Sequence, residues 1–176
     1  MLLSARNNQF KFEFPRNFIP KEIADKYRPY LNRMPGSMIK EPIDFFNYGI
    51  QSMNLPGPSF DAVSQNDFPG NTRKFRTSLP KQELFDKSLT VTMQAFDGWI
   101  NYWMAVDVFD YYYKQSGKTP FVPEGVGLQM IDGEGQIFVT VQLKDMIMTG
   151  VSALDLNFSS NTIEFQTFDI EFSYNV

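Results

Sequence analysis

The chain has 176 residues, enough for one domain with its own core and too few for two of ordinary size. It contains no cysteine and no histidine, which excludes disulfides, thiolate nucleophiles, the usual zinc ligands and the commonest general base. A formal charge of -4 argues against holding nucleic acid by its phosphates, while 18 phenylalanines within an aromatic content of 16% favour half-buried sheet surfaces and subunit contacts.

Met1, Leu2 and Leu3 are followed at once by Arg6, Asn7, Asn8 and Gln9, so no signal-peptide core is expected. No apolar run reaches the roughly 20 residues of a membrane helix, and the expectation is cytoplasmic synthesis without membrane insertion. Alternation over Gln9–Phe14 sets Phe10, Phe12 and Phe14 on one face of a strand and Lys11 and Glu13 on the other. Pro15 and Pro20 stop it. Lys21–Leu31 carries Ile23, Tyr27 and Tyr30 among charges and suits a short helix, so about residues 15–41 read as an inserted loop with a short helix. Phe45–Leu55 reads as a second strand, ended by a sharp turn over Asn54–Pro58. The basic stretch Arg73, Lys74 and Arg76 reads as a solvated loop or edge strand in preference to a nucleic-acid site.

Leu89, Val91, Met93 and Ala95 alternate with Thr90, Thr92 and Gln94 in a third strand, after which Asp97 stands where a helix N-cap would. The period then changes to helical. Tyr102, Ala105, Val106, Phe109, Tyr112 and Tyr113 form the stripe expected to lie on the sheet. Ile100, Trp103, Met104 and Tyr111 fall on the opposite side, where aromatic and Met side chains among a few charges suit either a subunit contact or a helix buried on both sides. Gly117 and Pro120 close the helix. Asp132, Gly133, Glu134 and Gly135 mark a hairpin turn, and the long returning strand runs from Ile137 toward Met148 and Gly150. The last strand alternates Phe168, Ile170, Phe172 and Tyr174 with Asp169, Glu171 and Ser173.

Catalysis would have to rest on carboxylates, Lys, Tyr or Ser. Asp132 and Glu134 suit turn solubility, Asp169 and Glu171 a wet strand face, and Asp107 and Asp110 a solvated or interface edge in preference to a cation site. Gly125 and Gly127 precede no Lys-Ser or Lys-Thr pair, so they build no phosphate loop. No catalytic, metal or cofactor residue is assigned, and the expectation is a protein that is not an enzyme.

The run from Asn161 to Tyr174, centred on Gln166, Thr167, Phe168 and Asp169, resembles the final strand of the tail tube family of contractile-tailed bacteriophages. Met146–Gly150 stands where that family has a strand ending in glycine before the loop to this hairpin. Leu89–Gln94 leading into a helix, the Asn54–Pro58 turn and the Asn8–Phe14 strand match in order, so the likeness runs over most of the chain. The C-terminal run is its most specific part.

The resemblance implies a mainly β, antiparallel sandwich or barrel-like tail tube fold with one flanking α-helix, as a single domain over residues 1–176. It implies homo-hexameric rings stacked into a tube in the virion tail, assembled in the host cytoplasm. Tail sheath, baseplate and terminator proteins are the implied partners, and DNA passes through the lumen without specific binding. No cofactor is implied. Asp169 and Glu171, then Asp132 and Glu134, are the candidate lumen-facing acids, and a negative lumen would keep DNA from sticking. Tube initiators of the baseplate, tube terminators and the tube components of related injection systems share the fold. Ending at Val176, directly after the last strand, favours a tube subunit; the long stretch from Pro15 to Glu41 keeps the initiator and terminator open.

Overall fold

The structure is a computed structural model that describes residues 10–33, 39, 41–54, 63–67, 71–75, 88–114, 122, 125–154 and 165–175, with 63–67, 71–75 and 175 described by backbone alone. In chain order the elements are β1 (Phe10–Glu13), α1 (Lys21–Asn32), α2 (Pro42–Tyr48), β2 (Ile50–Asn54), β3 (Val63–Asp67), β4 (Asn71–Phe75), β5 (Ser88–Gln94), α3 (Ile100–Lys114), β6 (Val126–Ile131), β7 (Ile137–Val151) and β8 (Thr167–Asn175). Six strands make one antiparallel sheet in the order β1-β6-β7-β8-β5-β2, and β3 with β4 forms a separate hairpin. The expectation of a mainly β fold with a flanking helix is met. The sheet is open, ending at β1 and β2.

Period-two patterning does in three dimensions what it promises in sequence. Leu89, Val91 and Met93 of β5 and Phe168, Ile170, Phe172 and Tyr174 of β8 are buried on one face, where they meet Met104, Ala105 and Val108 of α3. Each large side chain buried this way contributes about 1.5–3 kcal/mol. Residues 15–33 join that core: Phe18 stacks on Phe14 with ring centroids 4.4 Å apart, and Ile23, Tyr27 and Leu31 of α1 are buried.

Three local expectations fail for identifiable reasons. Residues 42–48 are helix, not strand, because Pro42 pre-sets the first helical turn, Asp44 favours its N-terminus, and Pro42, Ile43, Phe45 and Phe46 bury one helical face; the strand begins only at Ile50. Asp97 makes no cap. It opens a 3-10 turn, Asp97–Trp99, whose Gly98 and Trp99 have φ of 68° and 51°. The buried stripe of α3 is Asn101, Met104, Ala105, Val108 and Tyr112, rotated from the expected one, so Tyr113 is 71% exposed. Apolar residues surround this helix, and the sheet below it selects the stripe.

The β6–β7 turn is as read: the Asp132 carboxylate accepts from the N–H groups of Glu134 and Gln136 at 2.9 and 2.8 Å. Further along β7 the register shifts between Lys144 and Ile147, where Asp145 takes φ of 49°, and the buried side chains change from Leu143 to Met146 and Met148. The basic stretch Arg73–Lys74 belongs to β4. Leu55–Pro58, Arg76, Gly117, Pro120 and Asn161–Glu164 lie outside the described residues.

Candidate functional site

Opposite the core, the sheet presents a polar face. Thr90, Thr92 and Gln94 of β5 stand beside Asp169, Glu171 and Ser173 of β8, and Ser52 and Asn54 of β2 pair with Thr92 and Thr90. Asp169 is half-buried and exchanges two hydrogen bonds with Ser152: its N–H donates to Ser152 Oγ at 2.8 Å, and its carbonyl accepts from Ser152 N–H at 2.9 Å. Glu171 is exposed and lies opposite Gly150, so no side chain from β7 covers its carboxylate at that register position. Asp132 and Glu134 are placed elsewhere, in the β6–β7 turn, and are not brought together with Asp169 and Glu171.

The expected contact residues of α3 separate by environment. Trp103 is 54% exposed; Met104 is sealed in the chain's own core; Ile100 and Tyr111 are half-buried and packed on that core. Met104 therefore presents nothing to a partner, because the helix turns it inward with Val108. Asp107 accepts from Lys26 Nζ at 2.5 Å and from Tyr27 Oη at 2.6 Å and so ties α3 to α1, while Asp110 pairs with Lys114 within α3. Among the described residues no group of three acids could hold a metal ion, and no helix is long and apolar enough to cross a membrane.

Sequence patterning singled out Trp103 but missed the exposed rings of the neighbouring elements. Where β5 hands over to α3, Tyr48 stacks on Phe96 at 6.0 Å, Trp99 donates its backbone N–H to Phe96 and its indole N–H to Gln166 Oε1 at 3.3 Å, and Phe165 precedes Gln166. Trp103 follows one turn along α3. Tyr48, Trp99, Trp103 and Phe165 are 72, 40, 54 and 79% exposed, four large rings that face water around this junction. Their spacing along the chain carries no period that would have joined them.

Between the two end strands of the sheet lies a groove of about 1190 Å³, walled by Phe10, Phe12 and Met53 and by Asn47 of α2. Asn47 Oδ1 accepts from Phe14 N–H at 2.9 Å and Asn47 Nδ2 donates to Phe14 C=O at 3.2 Å, so one carboxamide stands in for a neighbouring strand. With α2 in that position the sheet stays open.

No family model and no curated protein matches this sequence. Solved structures do. A chain of the cryo-EM structure of the anti-feeding prophage (AFP) baseplate, 6-fold symmetrised, is similar over 99% of this chain and 93% of its own, with a TM-score of 0.54 and 14% identity. A chain of the cryo-EM structure of an extracellular contractile injection system, the PVC sheath-tube complex in the extended state, matches 72% of this chain and 77% of its own, with a TM-score of 0.43 and 18% identity. The first of these likenesses is one of fold.

Proposed function

We propose that the chain is a structural subunit of a contractile tail-like particle, forming homo-hexameric rings that stack into the tail tube, a passive conduit through which DNA leaves without specific binding. The observation that carries this reading is the polar sheet face: a full set of hydroxyl, amide and carboxylate side chains backed by a tight apolar core, on a fold similar to that of a baseplate chain. Asp169 and Glu171 on that face would repel phosphates in a narrow lumen. The subunit would carry out no catalysis, act in the virion tail after assembly in the host cytoplasm, and meet sheath, baseplate and terminator proteins.

A second reading, a tube initiator of the baseplate, is favoured by one observation: the similar fold over nearly the whole of both chains comes from a baseplate. Negative-stain electron microscopy of the purified protein tests both. Stacked rings with an open channel are the result expected of a tube subunit, and single rings that do not stack are expected of an initiator. A sample that stays monomeric at high concentration, alone and with its neighbours in the particle, would overturn both.

A further inference from the structure

We propose that the start of β7 in one copy docks on Trp99, Trp103 and Phe165 of a second copy, end to end. The inference rests on the reading of the chain as a self-assembling subunit and adds the two surfaces through which copies meet. Among the described residues β7 outruns its neighbours: β8 pairs with it only from Lys144 onward, and β1 reaches no further than Met130, opposite Val139. The β6–β7 hairpin therefore projects past the strands on either side. Ile137, Val139 and Val141 share the face of Leu143. Along that face the cover runs out, from Leu143 at 2% exposed, through half-buried Val141, to Val139 at 38% and Ile137 at 56%. Phe138, on the opposite face, is 82% exposed. Apolar side chains on both faces of a projecting hairpin mark a contact surface.

The second surface stands at the other end of the same strand. Val151, the last residue of β7, pairs with Ile170, and further back along β8 Gln166 Oε1 accepts from the Trp99 indole. Trp103 packs edge-on against Tyr102, which packs edge-on against Phe168, and Phe165 precedes Gln166. Measured along β7 the two surfaces are about 45 Å apart at roughly 3.3 Å per residue, so they meet only between copies. Tyr48 shares a groove with Met130 and takes no part. Unlike surfaces make a heterologous contact, which repeats from copy to copy and so builds rings or columns. Its size suits repetition. The exposed parts of Phe138, Trp99, Trp103 and Phe165 amount to roughly 400–600 Å². With the usual apolar share of just over half, the whole contact is about 700–1,100 Å², less than a stable pair needs, and many such contacts together hold where one does not. Asp97 beside the indole and Asp132 and Glu134 in the hairpin turn carry one sign, so salt, by screening them, strengthens the contact.

Trp99 and Trp103 are the only tryptophans of the chain, which lets one copy report on another. In a reporter chain, Ile137→Ser with Phe138→Ser removes the hairpin surface and leaves both tryptophans. In a docking chain, Trp99→Gly with Trp103→Ser removes the ring surface and all tryptophan emission, and glycine suits the left-handed backbone of residue 99, φ 51°. Circular dichroism checks that each variant folds. Alone, the reporter should stay open to acrylamide. Mixed with excess docking chain, at concentrations where the wild type assembles, its emission should move to shorter wavelength and its quenching should fall about twofold, further as salt rises. A docking chain that also carries Ile137→Ser and Phe138→Ser should leave the reporter unchanged. Reporter emission that does not move while wild-type copies assemble would overturn the contact and leave the subunit reading standing. So would a shift produced equally well by the docking chain without its hairpin surface. A wild-type chain that never assembles would sink the contact and the subunit reading together.

Discussion

Asn101 holds the junction of sheet and helix with one carboxamide. Fully buried, it accepts from Phe96 N–H at 3.0 Å and donates to Gln94 C=O at 2.6 Å, satisfying two backbone groups where β5 gives way to α3. Asn101→Leu leaves both unpaired at about 1–3 kcal/mol each, so urea unfolding should show a loss of about 2–6 kcal/mol; a loss below 1 kcal/mol would mean the junction finds other partners. Tyr27 is a second such residue. Burial first, then its hydrogen bond to Asp107, pushes its phenol well above the ordinary tyrosine value. A group whose folded pKa is raised binds its proton more tightly in the native state, so its contribution is intact below about pH 10 and is lost as pH rises beyond. Thermal melts should hold steady to pH 9 and fall above 10, and Tyr27→Phe should flatten part of that fall; an unchanged slope would place the loss elsewhere. Neither residue was legible in the sequence, because an Asn on a buried stripe and a Tyr bonded to an acid 80 positions away leave no local pattern.

At the scale of elements, what can be read in sequence follows from how much of an element's environment is its own. β5 and β8 lie side by side in one sheet with one dry face, and a strict alternation of Phe168, Ile170 and Phe172 with Asp169, Glu171 and Ser173 admits one orientation. α3 has apolar side chains all round, so the sheet chooses its stripe; α2 is only 7 residues, and its Pro42 and Phe45 fit a strand or a helix until Gly49 ends it. Candidate residues followed the same rule: Asp169 and Glu171 lie together on the polar face of β8, while the four exposed rings come from α2, the 3-10 turn, α3 and the approach to β8. The entry to β6 shows a constraint of close approach. Gly125 has φ of 68°, and a Cβ there would lie 2.6 Å from the Leu143 carbonyl oxygen. Gly125→Ala should therefore lose at least the roughly 1–2 kcal/mol of a left-handed alanine, plus the cost of parting β6 from β7. Gly127→Ala, with open space around it, should change stability by less than about 1 kcal/mol. Equal effects in denaturation would refute the steric account.

For the whole molecule, the two faces of the sheet differ in kind: one holds the chain together, and the other is polar. That division gives a test at the level of the assembled particle. Asp169 and Glu171 stand on the polar face of β8 among threonines and serine, on the side of the sheet away from the core, so reversing their charge removes none of the buried core. The variant Asp169→Lys with Glu171→Lys should fold with wild-type stability and assemble as the wild type does. In the proposed ring the change would turn a repelling lumen into a band of cations, and such a band binds DNA backbone with steep salt dependence. Rings of the variant should then retain short duplex DNA at low ionic strength and release it as salt rises, while wild-type rings retain none at either. Variant rings that form normally and hold no DNA would mean that the polar face looks away from the channel. Failure of the variant to assemble, with folding intact, would instead put Asp169 and Glu171 at a contact between subunits, where like charges brought together by the substitution force copies apart.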